Sequence, residues 1–99
     1  MAQFHFTEDA AHIHNWVRGM NPWPVAWFAH GGKRIKVQES RLAEDPQNAA
    51  PGTVLALKPL TIAAANGAVA LLTVTPEGGK PMAGTAWAAG RRLKAGDFL

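Results

Sequence analysis

Apolar residues recur at Ile13, Trp16, Val17 and Met20, the i, i+3, i+4, i+7 spacing that gathers them on one face of a helix. Thr7 stands where an N-cap belongs, with Glu8 and Asp9 in the first turn against the positive end of the helix dipole. Arg18 falls in the last turn and Gly19 follows it. Asn21-Pro22 and Trp23-Pro24 then forbid continuation, because proline lacks the N–H and restricts its predecessor. The pattern predicts a short amphipathic helix over residues 8–19.

From Val25 the period shortens to two. Val25 to Ala29 reads as a strand, Gly31-Gly32 as a tight turn, and Arg34 to Gln38 as the returning strand, with Ile35 and Val37 inward and Arg34, Lys36 and Gln38 outward. The polar stretch Arg41 to Pro51 reads as a loop or an irregular strand extension. Three more strands are expected at Gly52 to Leu57, Leu60 to Ala64 and Ala68 to Thr75, the last two joined by the hairpin signal Asn66-Gly67. Residues 83–89 then read as a short helix stopped by Gly90. Five short strands over residues 25–75 predict a mainly β fold, a small closed or partly open barrel between two short helices.

Composition narrows the function classes. Ninety-nine residues leave room for one domain, and ten glycines with seven prolines suit a turn-rich β protein better than a helical bundle. With no cysteine, thiolate nucleophiles, disulfides and sulfur-ligated zinc are excluded, and the reducing cytoplasm is the expected compartment. No stretch is long and apolar enough to span a membrane, and the start of the chain has no signal-peptide pattern. His12 and His14 lie on opposite sides of the predicted helix, so no metal site is expected. Ser40 has no base beside it in sequence, and Glu8-Asp9 and Glu44-Asp45 are adjacent pairs explained by capping and solvation. No catalytic residue is expected.

The cations are unevenly spread. Lys33, Arg34 and Lys36 share one hairpin, and Arg91, Arg92 and Lys94 fall within four residues, although the net charge is only +3. Two accounts fit this spacing: a phosphate-binding face, or an edge strand guarded by charge together with helix C-terminal cations complementing the dipole. Trp16, Trp23 and Trp87 read as core anchors, whereas alternation leaves Trp27 free to face either way.

The runs from Ile13 through Asn21-Pro22-Trp23-Pro24 to Trp27, from Gly32 to Val37, from Pro51 to Leu55, from Pro76 to Met82 and from Gly90 to Asp97 occur in that order. Together they resemble the C-terminal domain of methionyl-tRNA formyltransferase. The resemblance implies an OB-fold-like Greek-key barrel that follows a Rossmann-type catalytic domain. It implies initiator tRNA and that catalytic domain as partners, with tRNA phosphates facing Lys33, Arg34, Lys36, Lys80, Arg91 and Arg92. The cofactor 10-formyltetrahydrofolate is implied only for the catalytic domain, and none for this chain. Three positions depart from the family's pattern: Gln38 stands where an aromatic is common, Gly79 where a lysine often follows Glu-Gly, and Ala83 where a serine usually caps the last helix. Formyltransferases acting on sugar nucleotides or folate carry a similar domain as a structural attachment, which is the alternative without RNA.

Overall fold

In the computed structural model, which describes residues 3–20, 26–45 and 48–99, the first helix runs over Ala10–Met20 (α1). It starts two residues later than its sequence signals suggest. The Glu8 carboxylate accepts the His5 N–H at 2.7 Å, closing a turn ahead of the helix. The Ala10 N–H donates to the Ala65 carbonyl at 2.8 Å, and the Ala65 N–H donates to the Glu8 carbonyl at 3.1 Å. Asp9 bridges Ala65 as a strand residue does, so the helix begins after Asp9 and not after Thr7. The sheet thereby satisfies one of the N–H groups that a capping side chain would otherwise serve. Ala10, Ile13 and Val17 are buried, with Trp16 packed half-buried beside them. The Met20 side chain, the Asn21-Pro22-Trp23-Pro24 break and the expected strand start at Val25 lie outside the described residues.

The strands are β1 (Trp27–His30), β2 (Lys33–Ala43), β3 (Val54–Leu57), β4 (Leu60–Ala64), β5 (Gly67–Pro76) and β6 (Met82–Ala83). They form one antiparallel sheet in the order β1-β2-β5-β4-β3, with β6 alongside the far half of β5. Gly31 and Gly32 both have positive φ, 60° and 78°, as a two-residue hairpin turn of the right twist demands. Ile35 and Val37 are buried and Arg34 and Lys36 exposed, as alternation predicts. Gln38 differs, being half-buried at a register shift between Val37 and Ser40. Beyond that bulge β2 continues to Ala43, because β5 is long enough to supply partners as far as Ala68. The residues from Arg41 are thus a true strand extension before the chain turns irregular. The β4–β5 turn falls one residue early, on Ala65-Asn66, with Gly67 already paired to Ala64.

The sheet is open, consistent with a small barrel-like fold, and a terminal segment adds to each of its outer strands. On one side the Phe4 N–H donates to the Trp27 carbonyl at 2.9 Å. On the other, the Val54 N–H donates to Asp97 at 2.7 Å and the Leu99 N–H to Gly52 at 2.9 Å. The two end segments line a common cavity of about 220 Å³, with Phe4, Phe6 and Phe98 on its walls. Phe4, Phe6 and Phe28 stack edgewise at centroid distances of 5.1–5.7 Å, and Trp87 meets Phe28 at 6.0 Å. The two N-terminal phenylalanines are therefore core residues that no periodicity announces.

The second helix, α2 (Gly84–Gly90), follows β6 without a loop. Thr85 Oγ1 donates to the Leu57 carbonyl at 2.7 Å, tying α2 to the β3–β4 hairpin. Gly84 crosses β5 so closely that a β-carbon there would collide with the Leu71 carbonyl oxygen. Ala83 is the N-cap residue, extended at φ −63° and ψ 142°, and makes no side-chain cap hydrogen bond. A hydroxyl at this exposed position would reach the free N–H groups of the first turn. Ala83→Ser is expected to add about 1 kcal/mol and raise the melting temperature by roughly 4–8 °C. Thermal unfolding followed by circular dichroism checks this, and an unchanged midpoint contradicts it.

Gly90 does not stop α2, as its position suggests; it is the last helical residue. The left-handed residue is Arg92, at φ 57°, one beyond the C-cap Arg91. The Leu93 N–H donates to Ala88 at 3.0 Å and the Arg92 N–H to Ala89 at 3.1 Å, the paired bonds of a Schellman ending. Leu93 then packs against the core.

Candidate nucleic-acid interface

The six candidate cations sit on the second β-strand, on the β5–β6 turn and at the end of α2. Arg34 and Lys36 project outward from β2, and Lys33 is exposed at the hairpin end of the strand, opposite His30. This strand is internal, with β1 on one side and β5 on the other, so its charges do not guard a sheet edge. Arg34 is held in two ways. Its N–H donates to Glu77 Oε1 at 3.0 Å, and its guanidinium carbon lies 4.7 Å from the centre of the Trp27 ring. Trp27, on which alternation was silent, is thus half-buried beneath a cation.

Arg91 joins the two basic segments. A β-carbon at Gly31 would stand 3.1 Å from its Nη2, which puts the guanidinium at the tip of the β1–β2 hairpin. The same group lies 6.0 Å from the centre of the Trp87 ring, and Trp87 in turn touches His30 edge-on at 5.4 Å. Trp87 is 4% exposed and anchors the core as expected, though its Nε1 finds no acceptor among the described residues. Arg92 is exposed one residue on. Lys80 is exposed just past Gly79, which with Arg34, Lys36, Thr75 and Glu77 lines a groove of about 540 Å³. Sequence spacing could not foresee the approach of Arg91 to the hairpin, because a tertiary contact brings it there.

His14 and Ser40 also come together, with Nδ1 and Oγ 2.8 Å apart across the α1–β2 contact. The pair bonds helix to sheet. Among the described residues, no group of three or more His, Asp or Glu side chains gathers where a metal could be held. Nor is any described helix long and apolar enough to cross a membrane.

Two histidines have lowered pKa values. Burial lowers that of His14, helped by Arg18, and burial lowers that of His30, helped by Arg91. In the unfolded chain both protonate near the ordinary value of about 6.5. As pH falls below that value, the unfolded state takes up these protons first, so the folded state loses stability until the lowered pKa values are passed. The melting temperature is expected to drop between about pH 7 and pH 5, less steeply in a His14→Gln, His30→Gln double variant. Scanning calorimetry over this range tests it, and an equal drop in the double variant contradicts the assignment.

An antiparallel sheet flanked by two short helices, with two basic segments meeting at one hairpin, defines a β domain of the barrel-like class. Residues 1–92 match the model of the family described as formyl transferase, C-terminal domain, and the chain belongs to that family. It is 42% identical to a methionyl-tRNA formyltransferase of Streptococcus pyogenes over 98 residues, covering 95% of this chain and 31% of that protein. A methionyl-tRNA formyltransferase of Bacillus subtilis is 38% identical over 90 residues, covering 88% of this chain and 28% of its own length. The chain thus spans about 30% of these relatives and does not contain their catalytic domain. Among solved structures, HypX from Aquifex aeolicus shares the fold with a TM-score of 0.74 at 20% identity, covering 99% of this chain and 18% of HypX.

Proposed function

We propose that this domain holds initiator tRNA by its basic face while a separate formyltransferase catalytic domain carries out the chemistry. The observation that carries the reading is the meeting of both basic segments, Arg91 lying at the hairpin whose outgoing strand bears Lys33, Arg34 and Lys36. Because β2 is internal, protection of a sheet edge does not account for its cations. Relatives that match nearly all of this chain are methionyl-tRNA formyltransferases, which supports tRNA as the partner, and in this reading the cytoplasm is the site of action.

In this reading 10-formyltetrahydrofolate belongs to the catalytic domain. Each phosphate neutralised by Lys or Arg releases counterions, so binding is expected to weaken log-linearly with salt. Affinity for initiator tRNA measured across a salt series tests the proposal. Absence of binding at low salt, or a flat salt dependence, would favour the purely structural attachment.

A further inference from the structure

We propose that the groove between β2 and the β5–β6 turn is a subsite for one unpaired nucleotide of an RNA strand, with the base stacked on Arg34. This rests on the reading of the basic face as an RNA surface and adds what that face recognises. Three strands contribute to one line across the outward side of the sheet. Lys36 stands opposite Trp27 on β1 and opposite Thr75 on β5, so an indole, an ammonium and a hydroxyl succeed one another. Arg34 lies beside this line against the indole, its backbone fixed by Glu77.

A guanidinium pressed on an aromatic ring keeps its second flat face for another planar group, and unpaired bases stack on arginine planes and aromatic rings in this manner. The cavity of about 540 Å³ beside it falls within the range of small-ligand sites. Lys36 supplies a charge for the phosphate. Thr75 lines the groove, and its Oγ1, closed to solvent in this rotamer, has no partner among the described residues, an unmet hydrogen bond that a ribose or base edge would satisfy on rotation of the side chain. The Glu77 carboxylate accepts from donor groups and repels a second phosphate, which favours one nucleotide with its sugar over a run of backbone. Gly79 leaves the rim bare, since a β-carbon there would meet Pro76 Cγ at 2.9 Å. A paired base in a duplex cannot enter, because both its faces are already stacked.

Arg34→Lys retains the charge and removes the plane. Thr75→Val removes the hydroxyl, and its fold should be intact because that hydroxyl has no partner to lose among the described residues. Fluorescence anisotropy compares a short unpaired RNA of mixed A and C with a fully paired RNA duplex at one fixed salt concentration. Arg34→Lys is expected to weaken the unpaired RNA by about tenfold and the duplex by clearly less, since the charge remains for a phosphate. Thr75→Val is expected to weaken the unpaired RNA severalfold, with an unaltered melting temperature. Equal loss for both RNAs, or no loss in either variant, overturns the subsite while leaving the basic face standing. If neither RNA binds the wild-type chain at low salt, the RNA reading itself fails. Tighter binding of a free mononucleotide than of the short RNA would overturn an RNA strand as the source.

Discussion

Gly84→Ala is expected to lower the melting temperature by about 12 °C or more. The residue opens α2 directly after β6, where a β-carbon would run into the Leu71 carbonyl oxygen of β5 and press on Leu60 Cβ at 3.4 Å. Neither neighbour can yield easily, since Leu71 and Leu60 are both fully buried. Relieving the collision means lifting α2 off the sheet, which disturbs Trp87 and Ala88 in the core. Overpacking of this kind costs about 3 kcal/mol or more, and for a domain of this size each kcal/mol moves the midpoint by about 4–8 °C. The sign is diagnostic, because helix propensity alone favours alanine over glycine by about 1 kcal/mol. A midpoint that rises on substitution would show that α2 does not press on β5 at this point.

The second large effect concerns the end of the same helix. Replacing Arg91 and Arg92 together with alanine is expected to weaken tRNA binding at least tenfold and to make the log–log salt slope shallower by up to about two, roughly one per lost phosphate contact. Arg92 allows charge and structure to be separated. At φ 57° it occupies the left-handed position that ends α2, where glycine is the unstrained choice. Arg92→Gly should therefore raise stability by about 1 kcal/mol while reducing the slope by about one. A variant that gains stability with an unchanged slope would remove Arg92 from the tRNA contact and leave Arg91 to carry it.

Local patterns foretold much of this architecture. Gly31-Gly32 specifies the β1–β2 turn, and alternation correctly turns Ile35 and Val37 inward, because both signals depend only on neighbours in sequence. The capping pattern puts the helix start two residues early because Glu8 and Ala10 bond to Ala65, a partner that such a pattern does not contain. Nor does local pattern mark Phe4 and Phe6 as core residues, since they pack on Phe28 across the sheet from a segment without periodicity. Spacing alone gathers Lys33, Arg34 and Lys36 in one group and Arg91 and Arg92 in another, and the resemblance adds Lys80 and implies tRNA phosphates as the partner. That Arg91 reaches Gly31 follows from where α2 docks, and no spacing rule encodes this.

The pairing of the chain ends has one more consequence. β1 and β3 are the outer strands of the sheet, and each would offer free N–H and C=O groups to another molecule. The segment at Phe4 occupies the start of one rim, and the stretch from Gly96 to Leu99 occupies the start of the other, at Val54. The first residue of each outer strand is thus closed to a second molecule by the domain's own backbone, a shielding that costs the basic face no cation.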